Sequence, residues 1–243
     1  MSQFIAIRVI RYVTGLFVFG IAIAMFLYPG GTIHDSAQEG YSFTHNFLSD
    51  LGAYKSHSGE ANFLSSFVFG ISLLLFVLSG LAFFAVPNLF IENKLTYKLA
   101  IIGSMFFCIG SIFFAGVGLT PHDLFFEAHI FFALNSFRFL IPGALFYLVV
   151  FARSNVHKGY SFLLSFFLIS VCAYVFYEMI SGSPSDSLEN MVTHAIAQKM
   201  IVLVCIFSMF CLTFAFSSIL AKKQGLPKRK QCDQLKEERL FPE

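Results

Sequence analysis

Charge is what this chain has least of. Only 12% of its 243 residues are Asp, Glu, Lys or Arg, about half the roughly 25% of an ordinary soluble domain. So few charges do not cover a water-facing surface, which excludes a soluble globular protein and leaves the membrane class. Tryptophan is missing altogether while phenylalanine occurs 34 times, so any aromatic belt at the headgroup level is built from Phe and Tyr. A net charge of only +2 offers no electrostatic footprint for nucleic acid, so no nucleic-acid partner is expected. Cysteine is absent from the connecting loops. Cys108, Cys172, Cys205 and Cys211 lie in apolar runs and Cys232 lies in the basic tail, which argues against a disulfide framework and for thiols that act as small hydrophobes. Neither H-E-x-x-H nor H-x-x-x-H occurs, and no three-plus-three inverted repeat is visible.

What is abundant is apolar sequence, with a mean hydropathy of +0.75. Runs at 9–28, 62–86, 99–118, 124–151, 160–180 and 193–221 each reach the ~20 residues a membrane helix needs. The expected fold is therefore all-α: a polytopic membrane protein, a bundle of six transmembrane helices, followed by a charged tail at 222–243. The first connection, 29–61, is long and the others are short. Thirteen of the 16 Lys and Arg residues fall at the N-terminus, in the second and fourth connections, or in the tail. Lys55 stands alone on the other side, and Arg138 and Lys199 lie within helices. By the positive-inside bias both termini are cytoplasmic. The expected location is the inner (cytoplasmic) membrane, multi-pass, with membrane lipids as partners. "FLYPGG" after the first run lacks a small-x-small cleavage site, so residues 1–28 are expected to be retained.

The polar residues gather on the outer side. In "YSFTHNFLSDLGAY", Tyr41 to Tyr54, residues 44–51 read as a short helix stopped by Gly52. At 100° per residue His45, Asn46, Ser49 and Asp50 fall within an arc of about 140°. Phe47, Leu48 and Leu51 oppose them, as in a helix lying on the outer leaflet. In "TPHDLFFEAHIFFALNSFRFL", Thr120 to Leu140, Thr120, Pro121 and Asp123 read as a helix start. Asp123 at that position suits the helix dipole and needs no function. His122 and His129, seven apart, share a face with Ala133, Ser136, Gly143 and Ala144. Small residues mark close helix packing, so this face points into the bundle. His194 and Gln198 open the last helix at the same level, and Glu178 closes the fifth. Arg138, about 14 residues into its helix, falls near the bilayer centre, where it costs at least ~2.5–3.5 kcal/mol. Two readings stand side by side: an arginine tying helices together through carbonyls, or a cation at the base of an outward-opening cavity.

"HNFLSDLG" (His45–Gly52), "GVGLTPHD" (Gly116–Asp123) and His129 resemble a large prokaryotic group of six-helix membrane proteins catalogued as a domain of unknown function. That group carries a Ser-Asp-Leu-Gly signature after the first helix and a Gly-Leu-x-Pro-x-Asp turn before the fourth, followed by a histidine. Here these positions are Ser49, Asp50, Leu51 and Gly52; Gly118, Leu119, Pro121 and Asp123; and His129. The resemblance implies the six-helix fold and no particular activity. The layout is more distantly similar to Frag/DRAM/Sfk-type membrane proteins, which implies a link to lipid or anchor remodelling.

Three classes of function follow. In the first, His45, His122, His129 and His194 supply Zn²⁺ ligands, with Asp50, Asp123 and Glu127 as acid–base residues. Such a site needs three protein ligands and an open position, and would hydrolyse or remodel a lipid or amphiphile. In the second, Ser49, Arg138 and Gln198 bind a lipid headgroup or small anion without chemistry, as in a receptor or transporter. In the third, the polar groups satisfy one another in a membrane scaffold.

Overall fold

The computed structural model describes residues 1–225. Six helices are present: α1 Gln3–Leu27, α2 Phe63–Phe83, α3 Lys94–Leu119, α4 Phe126–Ala152, α5 Lys158–Ile180 and α6 Leu188–Lys223. Each is long and apolar enough to cross a membrane, and no named strand occurs among the described residues. The chain is a multi-pass membrane protein. Residues 226–243, most of the expected charged tail, lie outside the described residues.

Helix starts are set by caps rather than by the edges of the apolar runs. Ser2, Asn93 and Ser187 each accept the backbone N–H three residues on, satisfying a donor that has no partner within the helix. For that reason α1 begins at Gln3 and α6 at Leu188, ahead of the apolar runs. The run at 62–86 ends early as a helix. Pro87 lies in a 3-10 turn, Val86–Phe90, that follows the last turn of α2.

Successive helices pack as antiparallel neighbours, and α6 lies against α1, which closes the ring. Gly70 and Gly118 make a close approach between α2 and α3 at the loop end. A methyl group on either would meet the other's carbonyl oxygen at 3.0 Å, so the helices touch backbone to backbone. A large apolar cluster around Phe83, Phe107, Tyr147, Phe151 and Phe216 fills the end nearer the termini. A smaller one, with Phe17, Leu48, Leu51, Phe69 and Leu73, sits under the long first loop. α5 buries only Leu164, Phe167 and Val171 and is the most peripheral helix.

Three local expectations are corrected here. Residues 44–51 do not form an amphipathic surface helix: a turn leads into a 3-10 turn at Ser49–Gly52. Asn46 and Asp50, expected on its wet face, are 0% and 2% exposed. Thr120 and Pro121 do not begin α4, because residues 120–125 form a turn and the helix starts at Phe126. Arg138 does not face a central cavity. The buried face of α4 runs through Ser136, Leu140, Gly143 and Ala144. Arg138 lies about 160° around the axis from Ser136 and from Leu140, and it is exposed on the outside of the bundle.

Candidate metal centre

The three loops opposite the termini, 28–62, 120–125 and 181–187, close one end of the bundle. The first is held down from below. The Asn62 side-chain amide donates to the carbonyls of Asp50, Leu51 and Ala53 at 3.3, 3.1 and 2.9 Å. Ser65 and Ser66, in the first turn of α2, donate to the carbonyls of Leu51 and Gly52. Leu51 is fully buried. Gly52 is pressed on Phe69, whose ring atoms would lie 2.6 and 2.7 Å from any Cβ at that position. The Ser-Asp-Leu-Gly stretch thus works as a unit: Leu51 and Gly52 seat the turn, and the seat aims Asp50.

From α6, Gln198 Oε1 accepts the Leu48 N–H at 2.7 Å. Lys199, 3% exposed, donates from Nζ to the Asn46 carbonyl and, at 3.2 Å, to that of Ala195. The second loop is tied to the first by Asp123, whose two carboxylate oxygens accept the N–H groups of Tyr54 and Lys55 at 2.9 Å each. Asp123, which the sequence suggested as a helix-start acid, staples the two loops instead.

These ties bring Asp50, His57 and His122 together. Asp50 Oδ2 accepts from the Asn46 amide at 3.0 Å and from the Phe47 N–H at 2.9 Å. That fixes the carboxylate and leaves Oδ1 free. Oδ1 lies 3.3 Å from His57 Nε2 and 3.5 Å from His122 Nε2. Both Nε2 atoms are buried, and neither has a partner in hydrogen-bonding geometry. One ligand atom from each residue lies within 4.8 Å of the others. Bonds of ~2.0–2.1 Å around a tetrahedral Zn²⁺ give ligand–ligand edges of about 3.3–3.4 Å. These two Oδ1–Nε2 separations match that edge, so Asp50, His57 and His122 are the residues that would hold a divalent ion of this kind.

His57 is presented by a tight turn. Lys55 pairs with Ala61 in an antiparallel bridge, and Gly59 turns the chain at φ +87°. Its backbone N–H donates to the Tyr28 hydroxyl at 3.3 Å. Gly31, at φ +83°, passes so close that a Cβ would meet the Ser58 nitrogen at 2.2 Å. Burial pushes the Asp50 carboxyl up, but the His122 and His57 imidazoles beside it outweigh that and hold it well below its ordinary value. The Asp50 carboxylate in turn raises His57, against the opposing effect of burial.

His129 stands just behind this group, its ring 5.8 Å from that of His122. It is 4% exposed, and its Nδ1 lies 2.6 Å from the Thr120 carbonyl oxygen. A carbonyl only accepts, so Nδ1 carries the proton and Nε2 of the neutral ring is a lone-pair acceptor. His129, Ser49 and Gln198 are among the polar side chains lining a cavity of about 120 Å³ between the helices, whose walls are otherwise almost wholly apolar, including Phe17, Phe76 and Phe114. A polar cluster and an apolar chamber therefore share a wall.

Of the histidines singled out as metal ligands, His122 is in the cluster and His129 is beside it. His45 is not: its Nδ1 faces the hydroxyls of Ser42 and Thr44 at 3.2 and 2.8 Å. His194 is not either, since it bridges the Gly182 carbonyl and Glu178 at 2.9 and 3.4 Å and closes the α5–α6 corner. Glu127 is exposed on the first turn of α4, outside the cluster. His57 was missed because its turn, "KSHSGEA", has no periodicity to aim a side chain. The available signal was weaker: a histidine in the long loop that also holds Asp50. Compared with protein-family models, with curated proteins and with solved structures, the chain matches none.

Proposed function

We propose that the loop end of this protein is an outward-facing Asp-His-His site for a Zn²⁺-class ion, acting on a lipid or other amphiphile. Membership of the six-helix family named above is part of the same proposal. The observation that carries it is the convergence of two buried Nε2 atoms on one carboxylate oxygen, at 3.3 and 3.5 Å and outside hydrogen-bonding geometry. Both imidazoles face Asp50 without a hydrogen bond at Nε2, a cost that a bound cation taking their lone pairs would remove. Asp50, His57 and His122 would hold the ion. A metal so held polarises a carbonyl or phosphoryl oxygen and brings the pKa of a bound water to about 7.

The remaining work falls to the chain. His129 offers Nε2 as a proton acceptor at the chamber wall and can return that proton to a leaving group. The apolar chamber takes the hydrocarbon part of the substrate and keeps water away from it. Ser49 and Gln198, at the same wall, orient its polar part. The excess of Lys and Arg at the opposite end supports an outward-facing assignment. The reaction class supported best is hydrolysis of an ester, amide or phosphoester at the membrane surface.

Metal analysis of protein purified in detergent tests the reading, with hydrolysis of a panel of lipids as the second measurement. One bound ion per chain is expected, removed by Asp50→Ala or by His57→Ala combined with His122→Ala. A wild-type protein that neither retains nor is stabilised by Zn²⁺, Fe²⁺ or Mn²⁺ would sink it. The chamber also favours a second reading, binding of an apolar ligand without chemistry. Metal-independent stabilisation by one lipid, with no turnover, would point there.

A further inference from the structure

Arg138 has no place in the site just described. It is exposed on the outer face of α4. That face is a continuous stripe of exposed side chains: Glu127, Phe131, Arg138, Leu145 and Val149, spaced four and seven apart as one side of a helix requires. Among the described residues Arg138 makes no ion pair or hydrogen bond through its side chain. The helix spans Phe126–Ala152, so Arg138 lies about 18 Å from one end and about 21 Å from the other at 1.5 Å per residue. The headgroups lie some 15 Å from the bilayer midplane, too far for a three-methylene stem to snorkel to them. Pro142 stands one turn on. It has no N–H, so the Arg138 carbonyl also lacks its usual helix donor. Asn135, one turn back, donates to the Phe131 carbonyl at 2.7 Å and adds a polar neighbour. A guanidinium, a carbonyl and a carboxamide therefore cluster at mid-membrane depth on a surface that is otherwise lipid-facing.

We infer that this patch is a lateral docking site for a transmembrane helix of another protein that carries an Asp or Glu near its middle. Charge complementarity selects that occupant. A buried carboxylate takes up the guanidinium in two parallel hydrogen bonds, the strongest pairing available to arginine, and a partner backbone or side-chain donor meets the free carbonyl. The described residues of a second copy do not supply the acid. Among the described residues, Glu127, Glu178 and Glu189 lie at the loop end of their helices and Glu92 lies at the terminal end, and none is at the depth of Arg138. The site is on the opposite side of α4 from the apolar chamber and needs no metal.

The test uses the full chain in phosphatidylcholine bilayers with a labelled, leucine-based transmembrane peptide carrying a central Glu, Gln or Leu, read by energy transfer. The Glu peptide is expected to associate at least tenfold more tightly than the Leu peptide. The preference is expected to be lost in Arg138→Leu and largely kept in Arg138→Lys. Arg138→Leu removes a charge from hydrocarbon and so is expected to insert and fold, with metal content as the check. Equal association of all three peptides, or an unchanged preference in Arg138→Leu, overturns the inference. So does an Arg138-dependent self-association that ignores the peptides, which assigns the patch to a second copy. An Arg138 dependence that appears only with phosphatidylglycerol vesicles also overturns it, assigning the patch to anionic lipid.

Discussion

His122 Nε2 lies 3.5 Å from Asp50 Oδ1, although the whole α2–α3 hairpin separates the two residues in the chain. The hairpin crosses the membrane and returns, so the loop before α2 and the turn after α3 emerge side by side. The contact of Gly70 with Gly118 sets how closely they emerge. Everything proposed about the metal depends on that return.

Removing the carboxylate should remove the metal. Asp50→Ala is expected to abolish stoichiometric binding. Asn46→Ala, which removes one of the two donors to Oδ2 together with the Asn46 bonds to Gly31 and Ser42, is expected to weaken it by about 10–100-fold, as outer partners of metal ligands do. Titration with Zn²⁺ followed by thermal unfolding reads both. At a hundredfold excess of free ion over Kd, wild-type protein should gain about 2.7 kcal/mol. Equal gains in wild type and Asp50→Ala would remove Asp50 from the site.

Protons and metal should pull stability in opposite directions. Asp50 is held below its ordinary value and His57 above it. Without metal, the Asp50 contribution is present above the unfolded carboxylate pKa, about 4, and is lost as pH falls through the depressed value. The His57 contribution is full below about 6.5 and is lost as pH rises through its raised value. Metal-free protein should therefore be most stable between about pH 4 and 6.5 and soften above that. Zn²⁺ binding needs the neutral imidazole, so affinity should grow as pH rises through the same range. Unfolding temperatures measured against pH with chelator and with Zn²⁺ should diverge. Parallel curves would count against the pairing.

A single methyl group at Gly52 should unseat the site. Gly52→Ala places carbon 2.6 Å from the Phe69 ring, an overpacking expected to cost about 1–3 kcal/mol. Phe69→Leu in the same chain should recover part of that loss. Thermal unfolding in detergent, with metal content as a second readout, distinguishes this steric effect from a general intolerance of the position.

Asp123 is expected to matter through the backbone it holds. Asp123→Ala should speed hydrogen exchange at the Tyr54 and Lys55 amides, which lose the carboxylate that accepts them. It should also lower metal affinity without removing a ligand. Unchanged exchange at those two amides would show that the loops are held by other means.

Filling the chamber should block substrate and spare the ion. Ala133 and Ser136 line its wall below His129. Ala133→Leu is expected to reduce turnover of long-chain substrates at least tenfold with metal content intact. Equal losses for short- and long-chain substrates would disconnect the chamber from the chemistry.

Apolar run length and the scarcity of charge determined by themselves that six helices cross the membrane, because every backbone group in hydrocarbon has to be satisfied within its own segment. The Ser-Asp-Leu-Gly and Thr-Pro-His-Asp stretches were visible as polar islands in an oily chain, and both lie in the site. Only the tertiary structure decided which imidazoles meet Asp50. Of His57, His45 and His194, one reaches the carboxylate and the others serve neighbouring hydroxyls, a carbonyl and Glu178. Helix rotation was equally hidden: α4 turns its small residues inward and thereby sends Arg138 out. Loops and rotations are set by contacts between segments far apart in sequence, and hydropathy along one segment carries no record of them.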